Sequence, residues 1–261
     1  MEPKENFRHH ERVTGRGLRG WITGRMVLAG AGVAALLGAG ALGFVYFGLM
    51  GGTAPALLTL SAATPTPSTT TSASASASPA AGSGTGTWKV ASGSVAGYRV
   101  REQLGFAPAP SDAVGRTSAV SGSITITQSV AAYSVAAASF SVDVSTLTSD
   151  RSMRDQRIHS MGLESDRYPT ATFTLTSPIA LPSTGANGQA FRVQAVGDLT
   201  IHGTTRSVSI PLDARVNGTK IEVAGATTFP FSEFGMTPPS IGGFVTVQNN
   251  ATMEFDIVFQ Q

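Results

Sequence analysis

From residue 88 to the C-terminus, apolar and polar residues alternate with a period of two, and this pattern constrains the fold more than any other feature of the chain. In "AAASFSVDVSTL", Ala138, Phe140, Val142 and Val144 alternate with Ser139, Ser141, Asp143 and Ser145. "SVAGYRVRE" places Ala96, Tyr98 and Val100 on one face, and "SGSITITQ" does the same with Gly122, Ile124 and Ile126. "TATFTLTS" contributes Phe173 and Leu175, and "SVSIPLDARV" contributes Val208, Ile210, Leu212, Ala214 and Val216. "KIEVAGATTF" adds Ile221 and Val223, and "TMEFDIVFQ" adds Met253, Phe255, Ile257 and Phe259. One face of each segment is apolar and the other polar. That is the mark of antiparallel strands buried on one side, not of a sheet covered by helices on both. About eight such strands are expected, separated by Gly, Pro and Asn breaks. Asn217-Gly218 reads as a two-residue hairpin turn between "DARV" and "TKIEV".

An antiparallel sheet of that size removes its exposed edges by closing. The expectation is an all-β, antiparallel β-barrel of about eight strands with one short helix. A barrel of roughly eight strands either fills with side chains or holds one small ligand. Its inward positions are expected to be Tyr98, Val100, Ile124, Ala138, Phe140, Val142, Phe173, Leu175, Ile210, Leu212, Ala214, Phe255 and Ile257. Ala, Val and Gly are frequent on this face and large aromatics few. Small side chains leave room, and an apolar lumen suits an apolar guest.

One segment breaks the alternation, "SDRSMRDQRIHSMGLESDRYPTATF", Ser149 to Phe173. Ser149 or Asp150 is placed to cap a short helix that Gly162 ends. Its dense charge supports two readings. One is a solvated helix with local ion pairs. The other is a polar lid at a barrel mouth, with Arg154, Asp155 and Arg157 as candidates to close it or hold a ligand head group. His202, beside Gly203, is a turn residue and a further head-group candidate.

No catalytic residue is assigned. There is no Gly-x-Ser-x-Gly elbow, and Asp198 lies about 13 Å from His202 along an extended strand. No metal site is assigned either, because His159 and His202 form neither H-x-H nor H-E-x-x-H. The chain has no cysteine, which excludes a disulfide framework, a thiolate nucleophile and an Fe–S centre.

The N-terminal third differs in composition. Residues 1–25 carry six basic and three acidic residues and form a basic tail. Residues 26–50, "MVLAGAGVAALLGAGALGFVYFGLM", contain no charge and make roughly 37 Å of helix, enough to span a bilayer as an uncleaved signal-anchor. A cleaved signal peptide is the alternative, although its apolar region is usually only about 7–15 residues long. Basic residues before the span place the N-terminus in the cytoplasm and the rest of the chain outside, as a single-pass membrane protein. Residues 51–87 are rich in Ser, Thr, Pro and Ala and read as a disordered linker or stalk, leaving 88–261 as the folded domain. After residue 87 the chain has 12 basic and 13 acidic residues, so no basic face for nucleic acid is expected. Asn217-Gly218-Thr219 and Asn250-Ala251-Thr252 match the glycosylation sequon but read as turn and strand residues.

The residues already quoted resemble the YceI-like family. They include Trp88, "VGRTSAVSGSITI", "SVDVSTLTSDRSMRDQRIHSMGLESDRYPTATF", "GDLTIHGTTRSVSIPL" and "FGMTPPSIGGFVTVQNNATMEFDIVF". The Arg154-Asp155 pair, Tyr168-Pro169-Thr170 and the run from Gly197 to Gly203 carry the resemblance most strongly. It covers 88–261 in order, and the anchor with its stalk resembles membrane-anchored actinobacterial members. The resemblance implies a lipocalin-like barrel binding a polyisoprenoid lipid such as a polyprenyl quinone tail, with no shared catalytic residue and no cofactor beyond such a lipid. The Pro-rich Phe106 to Ser111 and the tether depart from the family pattern. Three functions follow as expectations. The first is a membrane-tethered, extracytoplasmic carrier or store of a long isoprenoid lipid. The second is a surface interaction or stress-protection module with a solid core. The third, a hydrolase or isomerase using His202 or His159, lacks a partner at suitable spacing.

Overall fold

The computed structural model describes residues 54–61 and 84–261, apart from 106, 108, 131, 184–187 and 218. The expected tail and membrane span, and most of the linker, lie outside the described residues. Among the described residues the alternating segments form thirteen strands, all paired antiparallel. They are β1 (Gly86–Val90), β2 (Val95–Leu104), β3 (Ser111–Thr117), β4 (Val120–Ser129), β5 (Ala132–Asp143), β6 (Thr148–Ser149), β7 (Thr170–Leu175) and β8 (Ile179–Leu181). β9 (Phe191–Ile201), β10 (Thr204–Asn217), β11 (Lys220–Phe229), β12 (Ser240–Ile241) and β13 (Val245–Gln260) complete the set.

Thirteen strands make an eight-stave barrel because several staves bend. β1 and β2 both lie along one edge of β13, and β3 and β4 continue one another beside them. The remaining order is a meander, β4-β5-β7-β9-β10-β11-β13, and the β1–β13 and β2–β13 pairings close the ring. At the bend between β1 and β2 the ladder is mended by a side chain. The Ser94 hydroxyl donates to the Ala91 carbonyl (2.8 Å) and accepts from the Val258 amide (3.0 Å). Ser94 is buried, so these bonds replace ladder partners that water could not supply.

The β10–β11 register pairs Asn217 with Lys220. The turn therefore lies one residue further along than Asn217-Gly218 implied, because Asn217 is still in the ladder. The β9–β10 hairpin is tighter. His202 and Gly203 are its two central residues, at φ 52° and 68°. Two successive positive φ values match a turn that follows the strand twist.

The helix, α1 (Ser152–Ser160), begins after Arg151, which makes no side-chain cap. The expected cap, Ser149, is instead bound by the helix: its amide and hydroxyl donate to Asp155 at 2.9 and 2.6 Å. Gly162 follows the helix end at φ 74°.

Two apolar clusters fill the inside. One holds Trp88, Ile124, Ile126, Ile221, Ile257 and Phe259 along the barrel. The other closes the end where α1 and the His202 turn lie, with Leu199, Ile201, Phe229, Phe231, Phe234 and Met236. A 3₁₀ turn, Phe231–Phe234, drives Phe234 to zero exposure and stacks it edge-on against Phe229 at 4.7 Å.

The outer face is not uniformly solvated. Glu254, Glu222, Arg215 and Ala224 point outward by register yet are buried. Residues 54–61 lie against this seam as extended chain. This part of the expected stalk is thus ordered, and β1 begins at Gly86 rather than after residue 87. Arg99 Nη2 donates to the Pro55 carbonyl (2.6 Å), and Arg116 Nη2 donates to that of Ala56. The Ser61 amide donates to Glu222 Oε1 (2.6 Å), and Arg215 Nη2 donates both to the Ser61 carbonyl and to Glu222 Oε2 (2.6 Å each). Burial opposes the charge on Glu222, but the Ser61 amide and Arg215 hold its carboxyl below the usual range.

Asp256, on the same face, has one buried carboxylate oxygen without a partner. Burial, with Glu222 adding to it and Arg215 opposing, raises its pKa to about 6. The folded value lies above the unfolded one, so the folded state binds the extra proton between about pH 4 and 6. Stability from this group is present at low pH and lost as pH rises through 6. Asp256→Asn is therefore expected to melt above wild type at pH 7.5, with the difference vanishing toward pH 4. Thermal melts across that range test this, and a difference independent of pH would refute it.

Candidate functional site: a glycine-tiled apolar lumen

Cross-strand partners share a face, so the ladders fix which side chains point inward. All thirteen residues expected in the lumen fall on the face that carries the two apolar clusters. Phe140 pairs with Phe173, Ile124 with Ala138, Val142 with Ala171, and Leu175 with Gly197. Ile210 pairs with Ala195, and Leu212 with Gly225. Ala214 pairs with Val223, and Phe255 and Ile257 with Gly225 and Val223. Tyr98 and Val100 pair with Met253 and Ala251.

Their burial divides them. Ile124, Ala138, Ile210, Ala214 and Ile257 are buried. Phe140, Phe173, Leu175, Leu212 and Phe255 point into the barrel but keep part of their surface accessible. In a solid core, packed at the density of an organic crystal, inward phenylalanines would be covered.

Glycines lie beside several of these partly accessible side chains. A Cβ built on Gly225 would meet Phe255 Cζ at 2.7 Å and Leu212 Cδ2 at 2.9 Å. A Cβ on Gly122 would meet Phe140 Cδ1 at 2.8 Å. Cβ atoms on Gly197 and Gly115 would overlap the Phe173 and Tyr98 rings. Four inward aromatics thus occupy space that a side chain on a glycine of a neighbouring strand would take. The sequence showed the inward glycines but not that each supports a ring. The inner face holds more aromatic surface than its small-residue composition suggested, with Tyr98, Phe140, Phe173 and Phe255 packed beside glycines.

At the helix end the inside becomes polar. Glu102 points inward from β2 and is buried. Arg154 Nη2 donates to Glu102 Oε1 at 2.6 Å, and Nη1 donates to Ser149 Oγ at 3.1 Å and to Asp150. Arg154 Nε is buried without a partner. Burial works against the guanidinium charge, but Glu102 and Asp150 raise its pKa above its ordinary range. Tyr98 also points inward here. Its hydroxyl is buried without a partner, and burial pushes the phenol up. Glu102 was missed by sequence reasoning. It sits in the inward parity of "YRVREQL", where a charge breaks the alternation, and that break was the available signal.

The other head-group candidates do not join this cluster. Asp155 is committed to Ser149. Arg157 has no side-chain hydrogen bond or ion pair among the described residues. His202 packs its ring on Tyr168 at 4.4 Å, and its Nε2 lies 3.3 Å from Glu164 Oε2. Asp198 pairs with Ser207 in the β9–β10 ladder, away from the His202 turn. A recess of about 520 Å³ lined by Ser121, Ser141, Asp143 and Thr170 lies on the outside of β4, β5 and β7, and its rim is polar and open.

The fold and this inner wall define a class: a closed, antiparallel, eight-stave barrel with an apolar lumen plugged at one end. Residues 88–259 match the model of the YceI-like domain. The chain therefore belongs to the YceI-like family. No curated protein matches it. Among solved structures it is similar to BcnA of Burkholderia cenocepacia, at 19% identity and TM-score 0.47, over 62% of this chain and 95% of that one. It is also similar to a polyisoprenoid-binding domain from Saccharophagus degradans, at 14% identity and TM-score 0.49, over 67% of this chain and 98% of that one. A third likeness is to the Campylobacter jejuni YceI protein, at 13% identity and TM-score 0.41, over 54% and 81%.

If Gly225 sets the lumen width at its level, Gly225→Ala displaces Phe255 and Leu212 toward the axis. The expected result is a folded barrel that takes up less of a long apolar probe such as a fluorescent fatty acid. Titration of variant and wild type, matched for folding by near-ultraviolet circular dichroism, checks this. Undiminished capacity would show that the glycines serve strand packing alone.

Proposed function

We propose that the barrel holds one long apolar lipid of the polyisoprenoid type, for transport, storage or sequestration, on the outer side of a membrane to which residues 26–50 anchor it. The observation that carries this reading is the set of inward phenylalanine and leucine side chains whose surface is left accessible. A barrel interior lined by aromatic and aliphatic side chains suits a long apolar chain better than a polar, compact ligand. The same accessibility argues against the solid-core module. Membership of the YceI-like family supports the lipid reading, and the charge-free run 26–50 supports the anchor.

The polar end supports a division of roles. Arg154 is bound to Glu102, Asp150 and Ser149, so α1 acts as a fixed plug and not as an arginine clamp. Tyr98 supplies the free donor for a hydroxyl or carbonyl at the end of an isoprenoid chain.

Native mass spectrometry of the full chain purified in mild detergent is the direct test. The expected adduct is a single polyprenyl compound. Adducts of phospholipid only, or none together with no uptake of added polyprenol or polyprenyl quinone, would overturn the proposal. Tyr98→Phe separates chain from head group. Removing an unpartnered buried hydroxyl is expected to leave stability unchanged or slightly raised. Affinity for a polyprenyl quinone should fall about 5-fold or more, the loss of one net hydrogen bond of about 1 kcal/mol. Affinity for the corresponding hydrocarbon should stay the same. An equal fall for both would remove Tyr98 from head-group recognition.

A further inference from the structure

The outward face of β10, β11, β13, β2 and β3 carries an arrangement that the lumen does not explain. Glu254 is fully buried on the outside of a barrel, where a side chain ordinarily meets water. It accepts from Arg116 Nη2 at 2.7 Å, from Arg116 Nε at 3.0 Å and from Arg99 Nε at 3.3 Å. Arg99 donates from Nη2, which does not touch Glu254, to the Pro55 carbonyl, and Arg116 Nη2 is shared between Glu254 and the Ala56 carbonyl. Arg215 and Glu222, also buried, grip both main-chain groups of Ser61. These contacts read the backbone of an extended peptide at both of its ends. Between them, Leu58 and Leu60 are partly covered while Leu57 and Thr59 face out, the alternation of a segment laid on a surface.

We propose that this seam is a peptide clamp whose occupant is the chain's own segment 54–61, and that the clamp, not the Ser/Thr/Pro-rich stretch, sets how the barrel is tethered. Buried charges are costly unless paired. Arg99 Nη1 turns to Asp112, while Arg99 Nη2, Arg116 Nη2, Arg215 Nη2 and Glu222 Oε1 find main-chain partners in residues 55, 56 and 61. The chain leaves the seam at Ser61 and rejoins the barrel at Gly84. The 22 residues 62–83 therefore join two points on one barrel. The free chain between the apolar run and the first clamped residue falls from the 37 residues 51–87 to the four residues 51–54. Four residues reach about 14 Å at most. This consequence rests on residues 26–50 being a membrane span. The clamp itself does not, and neither depends on what the lumen carries.

The absence of cysteine makes the test direct. Thr59→Cys and Lys220→Cys, both at exposed positions, carry spin labels in the full chain in detergent micelles. Pulsed dipolar spectroscopy is expected to give one narrow distance distribution. Doubling residues 62–83 with Gly/Ser repeats should leave it unchanged, and Arg116→Ala combined with Arg215→Ala should broaden it. A broad distribution in the parent chain would overturn the clamp. So would a mean distance that grows about 1.4-fold when the stretch is doubled, the square-root scaling of a free coil. The Arg variant enters the comparison only through its broadening relative to the parent, so its own folding does not decide the result. Lipid binding plays no part in the readout, so a failure of the lumen proposal leaves this one standing.

Discussion

A strand cannot satisfy its own amides, so this wall exists only because the ring of backbone hydrogen bonds closes, and β13 is where it closes. Along one edge β13 pairs with β11 from Ala251 to Gln260, and along the other it takes β2 and then β1. The partners change at Ser94, whose side chain supplies the missing ladder bonds to Ala91 and Val258. Closure fixes the parity of every residue on every stave. Which side chains meet the lumen, which meet water and which lie under residues 54–61 all follow from that one registration.

Closure alone would give a core to be filled. Here inward aromatics are paired with inward glycines. Each glycine weakens its strand, because it brings more unfolded-state entropy and no packing surface. The aromatic ring that lies over it recovers apolar burial on the spot, as cross-strand aromatic–glycine pairs do in designed sheets. The lumen then runs into the Phe231–Phe234 plug and the Glu102–Arg154 pair, where the inside changes from apolar to polar within two residues of β2, from Val100 to Glu102. One end is thus closed both by packing and by charge. That gives the tube a direction, and a chain with one polar terminus fits a tube with one polar end.

The outside shows the same economy in reverse. Exposed ion pairs such as Arg192–Asp213 contribute little, because water competes for both partners. Around Glu254 water has been excluded, and a buried carboxylate stripped of one partner is strongly destabilising. Residues 54–61, which have no secondary structure of their own, lie over this seam. Composition marked residues 51–87 as a single low-complexity stretch. The main-chain groups of residues 55, 56 and 61, not their side chains, are what the barrel grips, and composition does not register those.

Much of the molecule was legible in the sequence for a simple reason. Period two is written residue by residue, and burial on one face is a local consequence of it. Phe140, Leu212 and Ile257 point inward because their neighbours Ser141, Asp213 and Val258 must then point out. The turn at His202-Gly203 was legible for the same reason, since backbone preference is local. Segments separated in sequence and brought together by closure were not legible. Glu102 finds Arg154 across 52 residues, Glu254 finds Arg116 across 138, and Ser61 finds Glu222 across 161. The sequence by itself determined that the chain makes an antiparallel wall with one apolar face. The tertiary structure alone decided that the helix arginine is locked in an ion pair, that inward aromatics pack against glycines and that residues 55, 56 and 61 bond to the barrel. Alternation specifies which way a side chain points, but only the closed ring brings it to the group it meets.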